Sequence, residues 1–170
     1  MTLTGIAMVE AEVRSALVTL RHPKPEFSIP TSAPGDGTPH LETAEDGYFW
    51  VVVERGKEHS RIQVDEDEAF FLSMEILTRQ MAQGEELRTR RMFEATGIRR
   101  ALGMAPKPAL RDDYSRATWI EAHERLMGAI RTHWAERIAQ KYREILRRYP
   151  LTPQERQHAR RLDLSAFGLD

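Results

Sequence analysis

EDGYFWVVVERGKEHSRI, residues 45–62, is the stretch whose reading decides the fold. Tyr48, Phe49, Trp50, Val51, Val52 and Val53 run without a break before the chain turns polar at Glu54-Arg55-Gly56. A strand with one face in water alternates apolar and polar residues, because successive side chains point to opposite faces. An unbroken aromatic and β-branched run instead reads as a strand central in a small sheet and covered on both sides. Parity puts Phe49, Val51 and Val53 on one face and Tyr48, Trp50, Val52 and Glu54 on the other. The Tyr48/Trp50 face is then either core or a surface left partly open for a partner, since aromatic residues dominate binding hot spots.

Working outward, Glu45-Asp46-Gly47 is a hairpin signal, so residues 40–54 read as two strands joined by a turn. Residues 60–64, SRIQV, read as a third strand entered through Gly56-Lys57. Asp65 ends that strand and starts a helix: its carboxylate can cap free N–H groups, and Glu68 can return the bond. Acids in the first turn also suit the positive end of the helix dipole. Phe70, Met74, Leu77 and Met81 form the helix's apolar stripe, and Gly84 is a point where it kinks or ends.

Before the sheet, Ile6, Val9, Val13, Leu17 and Leu20 recur at helical spacing. A segment rich in proline and glycine, residues 21–39, follows as an extended connection packed through Phe27 and Ile29. After residue 112, Asp113 or Ser115 opens a helix with Trp119, Ala122, Leu126 and Ile130 on one face. Thr132 restarts the chain as a cap, and Trp134, Ile138, Tyr142 and Ile145 make the next stripe. LTPQE, residues 151–155, is a start signal with Thr152 as cap, Pro153 at the first helical position and Glu155 closing the box. The expected architecture is one α+β domain over 1–170, a small antiparallel sheet of two to four strands packed by about five helices and mostly helical.

The 170 residues suffice for one domain with a core, and 41% hydrophobic with 30% charged content is globular composition. The absence of cysteine excludes disulfides, zinc–thiolate sites and thiol nucleophiles, and suits a reducing compartment. The opening residues lack a basic flank and are interrupted by Glu10, Glu12 and Arg14, so they read as neither signal peptide nor membrane span. A cytoplasmic location is expected. Residues 1–86 hold 7 Lys and Arg against 16 Asp and Glu, and residues 87–170 hold 18 against 10. The two halves either neutralise each other in the fold or leave an acidic patch able to attract a basic partner.

The chain has no phosphate-binding loop, no dinucleotide fingerprint, no nucleophile elbow and no zinc-protease motif. Its six histidines have no tight metal-ligand spacing. His40 and His59 could meet beside the hairpin, but read as two exposed surface histidines. The Arg-Arg pairs at 147–148 and 160–161 read as solvated helix ends. Neither catalysis nor a cofactor or metal is expected, and no nucleic-acid or membrane partner. The alternative function is a small nucleic-acid-associated regulator using the basic C-terminal half.

Across this pattern the chain resembles the immunity protein 63 family of bacterial polymorphic-toxin systems. Ile29-Pro30, Tyr48 and Glu54-Arg55-Gly56-x-Glu58 match the family's first half. Ala82, Glu86, Leu87 and Arg90 match its central helix, and Arg99-Arg100 an Arg-Arg pair. Trp134 to Arg137 with Ile145, Leu146 and Pro150 form the closest stretch, so the resemblance spans 29–151. The chain departs from the pattern near Gly97, at His123, and in an apparent insertion over 103–116. The resemblance implies a non-catalytic inhibitor that binds one cognate toxin acting in the cytoplasm. With it in view, Glu54 is expected to be mostly buried and paired with Arg99 or Arg100, the alternative being that Glu54 and Arg55 reach into the toxin. The expected docking residues are Glu45, Asp46, Asp65, Glu66, Asp67 and Glu68.

Overall fold

The computed structural model describes residues 5–90 and 113–169. The apolar run forms β2, Gly47–Glu54, the middle strand of a three-stranded antiparallel sheet in the order β1-β2-β3. Its neighbours are β1, Asp36–Ala44, and β3, Lys57–Val64. Pairing of Leu41 with Trp50, Trp50 with Ile62 and Tyr48 with Val64 sets one face. On that face Leu41, Tyr48, Trp50 and Val64 are buried, so the aromatic pair belongs to the core. The other face carries His40 opposite Val51 and Glu42 opposite Phe49. There His40 and Val51 are buried while Phe49 is half-buried. Both faces are therefore apolar in the middle of β2 because both are covered there.

The Glu54-Arg55-Gly56 stop is a two-residue hairpin. Glu54 pairs with Lys57, and the two residues between them take left-handed backbone, φ 50° at Arg55 and 76° at Gly56. Positive φ at both central positions is the type I′ turn, whose twist matches that of the strands it joins. At the opposite end Gly47 has φ 116°, and a Cβ there would lie 2.6 Å from the Val64 carbonyl oxygen. Only glycine closes the β1–β2 turn against the end of β3.

The described residues divide into two compact units. The first runs to Leu77 and takes back Ser165–Leu169; the second is Thr78–Leu164. In the first, helix α1, Ile6–Thr19, buries Val9, Val13, Ala16 and Leu17. The proline-rich connection ties α1 to the sheet. The Glu10 carboxylate accepts from the Ile29 N–H at 2.8 Å, Arg14 donates to the Phe27 carbonyl, and the Leu41 N–H donates to the Pro30 carbonyl. Ile29 is buried and Phe27 half-buried, as their place in that segment predicts.

Helix α2, Glu66–Thr89, runs through Gly84 without ending there. In the second unit α3, Arg116–Ile130, packs against α4, Thr132–Arg148, and a short α5, Pro153–Gln157, follows. Trp134, Ile138 and Tyr142 are buried as their spacing predicts. Ile145 is not: it is 37% exposed. It lies in the last turn of α4, where Arg116 at the start of α3 reaches past it to the Tyr149 and Pro150 carbonyls. Tyr142 holds the pair together, its hydroxyl 2.9 Å from His123 Nδ1 and its ring edge-on to Trp119 at 5.5 Å. Thr152 and Glu155 make the full reciprocal capping box on α5, with Pro153 at its start.

The fold is thus α+β and mostly helical, as the sequence reading expects. The strand β1 is longer than that reading: it begins at Asp36 and takes in Pro39, an arrangement open to an edge strand, whose outer positions need no ladder N–H.

Candidate functional site

Three groups of charged side chains are candidates, and their burial separates them. The first is built by the β1–β2 turn and the start of α2. Glu45 and Asp46 are exposed in the turn. The close approach of Gly47 to Val64 sets that turn beside Asp65, and Gln63 Nε2 donates to the Asp46 carbonyl at 3.3 Å. Asp65 caps α2, its Oδ1 accepting from the Glu68 N–H at 2.8 Å, and remains exposed. Asp67 is exposed, and Glu66 and Glu68 are half-exposed. The six acids expected to dock a partner therefore gather at one corner of the sheet although eighteen residues separate the two clusters. Burial, and then the Glu66 charge, raises the pKa of the neighbouring Tyr48 phenol.

The second group lies on the His40/Val51 face of the sheet. Arg61 donates to Glu42 at 2.7 Å and to Glu58 at 3.0 Å, and its guanidinium lies 5.3 Å from the Phe49 ring centroid. His40 Nε2 is 3.0 Å from Glu42 Oε1. The Arg61 guanidinium, and then His40, hold the Glu42 carboxyl below its ordinary range. An ionised acceptor assigns the ring hydrogen to Nε2 of His40. His40 is 2% exposed, which corrects the expectation of an exposed histidine pair; His59 alone is exposed. His40 sits opposite the buried Val51 on a covered part of the sheet, whereas His59 is the extra residue at the β2–β3 register shift.

The third group lies in the second unit and is buried. Glu86, 1% exposed, accepts from Arg90 at 2.6 Å, and Arg160 approaches its carboxylate at 3.9 Å. Arg90 also stacks over Tyr114, 4.6 Å from the ring centroid. Glu155 is gripped by Arg116, with Nε 2.6 Å from Oε1 and Nη2 2.9 Å from Oε2, while the Thr152 N–H donates to Oε2 at 2.8 Å. Arg116 donates further to the Tyr149 and Pro150 carbonyls, and Ser115 Oγ to the Glu155 carbonyl. Arg116, followed by the Thr152 and Arg116 backbone N–H groups, holds the Glu155 carboxyl at about 2, well below the ordinary value, against the opposing effect of burial.

Glu54 corrects the expectation of a buried acid. Its side chain is 47% exposed, and its neighbour Arg55 approaches at 3.8 Å. Glu54 is the last residue of β2 before the turn, and its side chain stands beside Arg55 at the exposed hairpin tip. Arg99 and Arg100 lie outside the described residues. The buried acids are instead Glu75, Glu85, Glu86 and Glu155. Glu86 and Arg90 carry a visible signal, their i,i+4 spacing, and Glu155 a capping box. Arg116 and Arg160 carry none. Arg160 is also not a solvated helix end: it is 28% exposed and faces Glu86 and Asp113, while Arg161 is 69% exposed.

Among the described residues no cluster of three or more His, Asp or Glu is placed to hold a metal ion. No described helix is long and apolar enough to cross a membrane. No curated protein and no solved structure matches the chain. The family model described as Immunity protein 63 matches residues 45–144, from the β1–β2 turn to the last turn of α4 and more than half of the 170 residues. That span holds the hairpin, the acidic helix start, the Glu86–Arg90 pair and the Trp134/Ile138/Tyr142 stripe. The chain belongs to the immunity protein 63 family, and is by that membership a toxin-immunity protein.

Proposed function

We propose that this protein neutralises one cognate bacterial toxin domain in the cytoplasm by binding it stoichiometrically, without catalysis of its own. The family match carries the partner class. The docking surface is the acidic corner of Glu45, Asp46, Asp65, Glu66, Asp67 and Glu68. Toxins that attack nucleic acid present basic sites, and opposite charge speeds encounter with such a site. The reading is supported by the way the fold gathers these acids at one corner. Arg61, Arg90 and Arg116 meet carboxylates within their own unit, while Arg55, Arg88 and Arg161 are largely exposed.

A second reading of the docking surface rests on the hairpin tip, where Glu54 is 47% exposed and Arg55 is 91% exposed on left-handed backbone. Arg55→Ala separates this surface from the acidic corner. The function itself is tested by co-expression with the cognate toxin domain. Survival of the host and a one-to-one complex on purification are expected. Growth arrest in cells that contain the folded protein would contradict the reading.

A further inference from the structure

The strand β3 is exposed on both faces and unpaired along one edge. Lys57, Glu58, His59, Arg61, Ile62 and Gln63 are exposed, Ser60 is half-buried and only Val64 is buried. Its inner edge pairs with β2 at every residue but His59, which the register shift leaves without a β2 partner, and no described strand covers its outer edge. An edge strand in this state presents every second N–H and C=O outward, ready to pair with another strand. Natural edges are commonly blunted by proline, by lysine or by a bulge. Here Lys57 and the bulge at His59 protect the start of β3, while Ser60–Val64 is regular, has no proline and carries Ile62, 45% exposed, opposite the buried Trp50.

The charge along the strand runs from one sign to the other. Arg55 and Lys57 stand at its entrance. Asp65, Glu66 and Asp67 follow its exit. Such a strand is complementary to itself when reversed. We propose that the outer edge of β3 pairs antiparallel with β3 of a second copy of this chain, joining two three-stranded sheets into one of six strands.

A two-fold axis normal to the sheet keeps like faces together, so a residue on the axis faces its own copy. With the axis at Ile62, apolar meets apolar and Ser60 faces Val64. Arg61 then faces Gln63 in place of a second arginine. His59 comes toward Asp65, and Lys57 toward Asp67. An axis at Arg61 sets two guanidinium groups face to face, and one at Ser60 sets Glu58 against Ile62. Cross-strand pairs of opposite charge stabilise and like charges oppose, so the Ile62 axis is the preferred register. In this dimer Asp65 and Asp67 are shared with the second copy, and Glu45 and Asp46 in the β1–β2 turn are left to the toxin.

The chain has no cysteine, so one engineered thiol reports on its own neighbours. Light scattering on the wild-type chain is expected to give, at rising concentration, twice the 19.6 kDa chain mass. Ile62→Cys is expected to oxidise to a covalent dimer, while Val18→Cys, on exposed α1 surface, stays monomeric under the same conditions. Ile62→Lys is expected to raise the dimer dissociation constant by about ten-fold or more. Lys57→Glu is expected to weaken it, and Lys57→Glu with Asp67→Lys to restore it. Near-ultraviolet circular dichroism checks that each variant is folded. A wild-type chain monomeric at every concentration, or a dimer indifferent to Ile62→Lys and the charge exchange, overturns the proposal. A monomer whose β3 amides become protected from hydrogen exchange only when a toxin binds overturns it too, and assigns the edge to the toxin.

Discussion

The sheet and the helical unit handle charge in opposite ways. On the sheet, Arg61 joins Glu42 and Glu58 with all three side chains between 37% and 46% exposed. In the helical unit, Glu86 and Glu155 are 1% and 7% exposed, and each is bound by an arginine from another turn or another element. Exposed pairs gain little, because water screens them and ordering long side chains costs entropy. Buried pairs add little over an apolar replacement, yet losing one partner strands a charge and costs heavily. The helical unit therefore uses charge to fix which segments meet, and the sheet keeps its charge available to a partner.

The largest expected effect lies in the helical unit. Trp134 is 1% exposed, and Trp134→Ala should destabilise by roughly 3–5 kcal/mol in a urea titration. A wild-type midpoint for that variant would place the indole outside the core. Arg90→Met, which leaves the buried Glu86 with the more distant Arg160, should cost about 3 kcal/mol. The double variant Arg90→Met with Glu86→Leu should recover much of that loss. No recovery would mean that the pair is not acting as a buried charge and its partner.

Glu155→Gln should cost about 1–3 kcal/mol at neutral pH by weakening the charge-assisted bonds from Arg116. The folded carboxyl is held at about 2, below the roughly 4.3 of an unfolded chain, so its contribution is complete above the unfolded value. It declines as pH falls from there to about 2. The stability gap between wild type and Glu155→Gln should thus narrow on acidification from pH 6 toward pH 3. A constant gap would locate the effect in packing. At the small end, Arg61→Ala, in the exposed network, should move the unfolding midpoint by no more than its error. A clear loss would show that the sheet's charges are structural and that the contrast with the helical unit is mistaken.

Local features of this fold were legible in the sequence. Tyr48 to Val53 announced the central strand, Asp46-Gly47 its turn, Asp65 the cap of α2 and Thr152-Pro153-x-Glu155 the start of α5. Each is set by residues within a few positions of one another. Glu54 was misread because alternation gives the face of a strand residue but not how far the cover over that face extends toward the strand's end. Ile145 was misread because helical spacing shows which side of a helix is apolar but not how completely each position on it is covered. Glu155 and Arg116 lie 39 residues apart, and Glu86 and Arg160 farther still. Nothing in a chain with 25 cations and 26 acids says which of them will meet. The acidic corner was legible as two clusters; their union depends on the hairpin closing against the end of β3.

The most direct test of the account is the association rate with the cognate toxin domain, measured at low and high salt for wild type and for Asp46→Lys with Glu66→Lys. If the acidic corner is the docking surface, the wild-type rate falls steeply with salt. The double variant then associates more slowly at low salt and loses most of that dependence. A folded variant with the wild-type rate and salt dependence would contradict the account and move the docking surface to the Arg55 hairpin tip or the edge of β3.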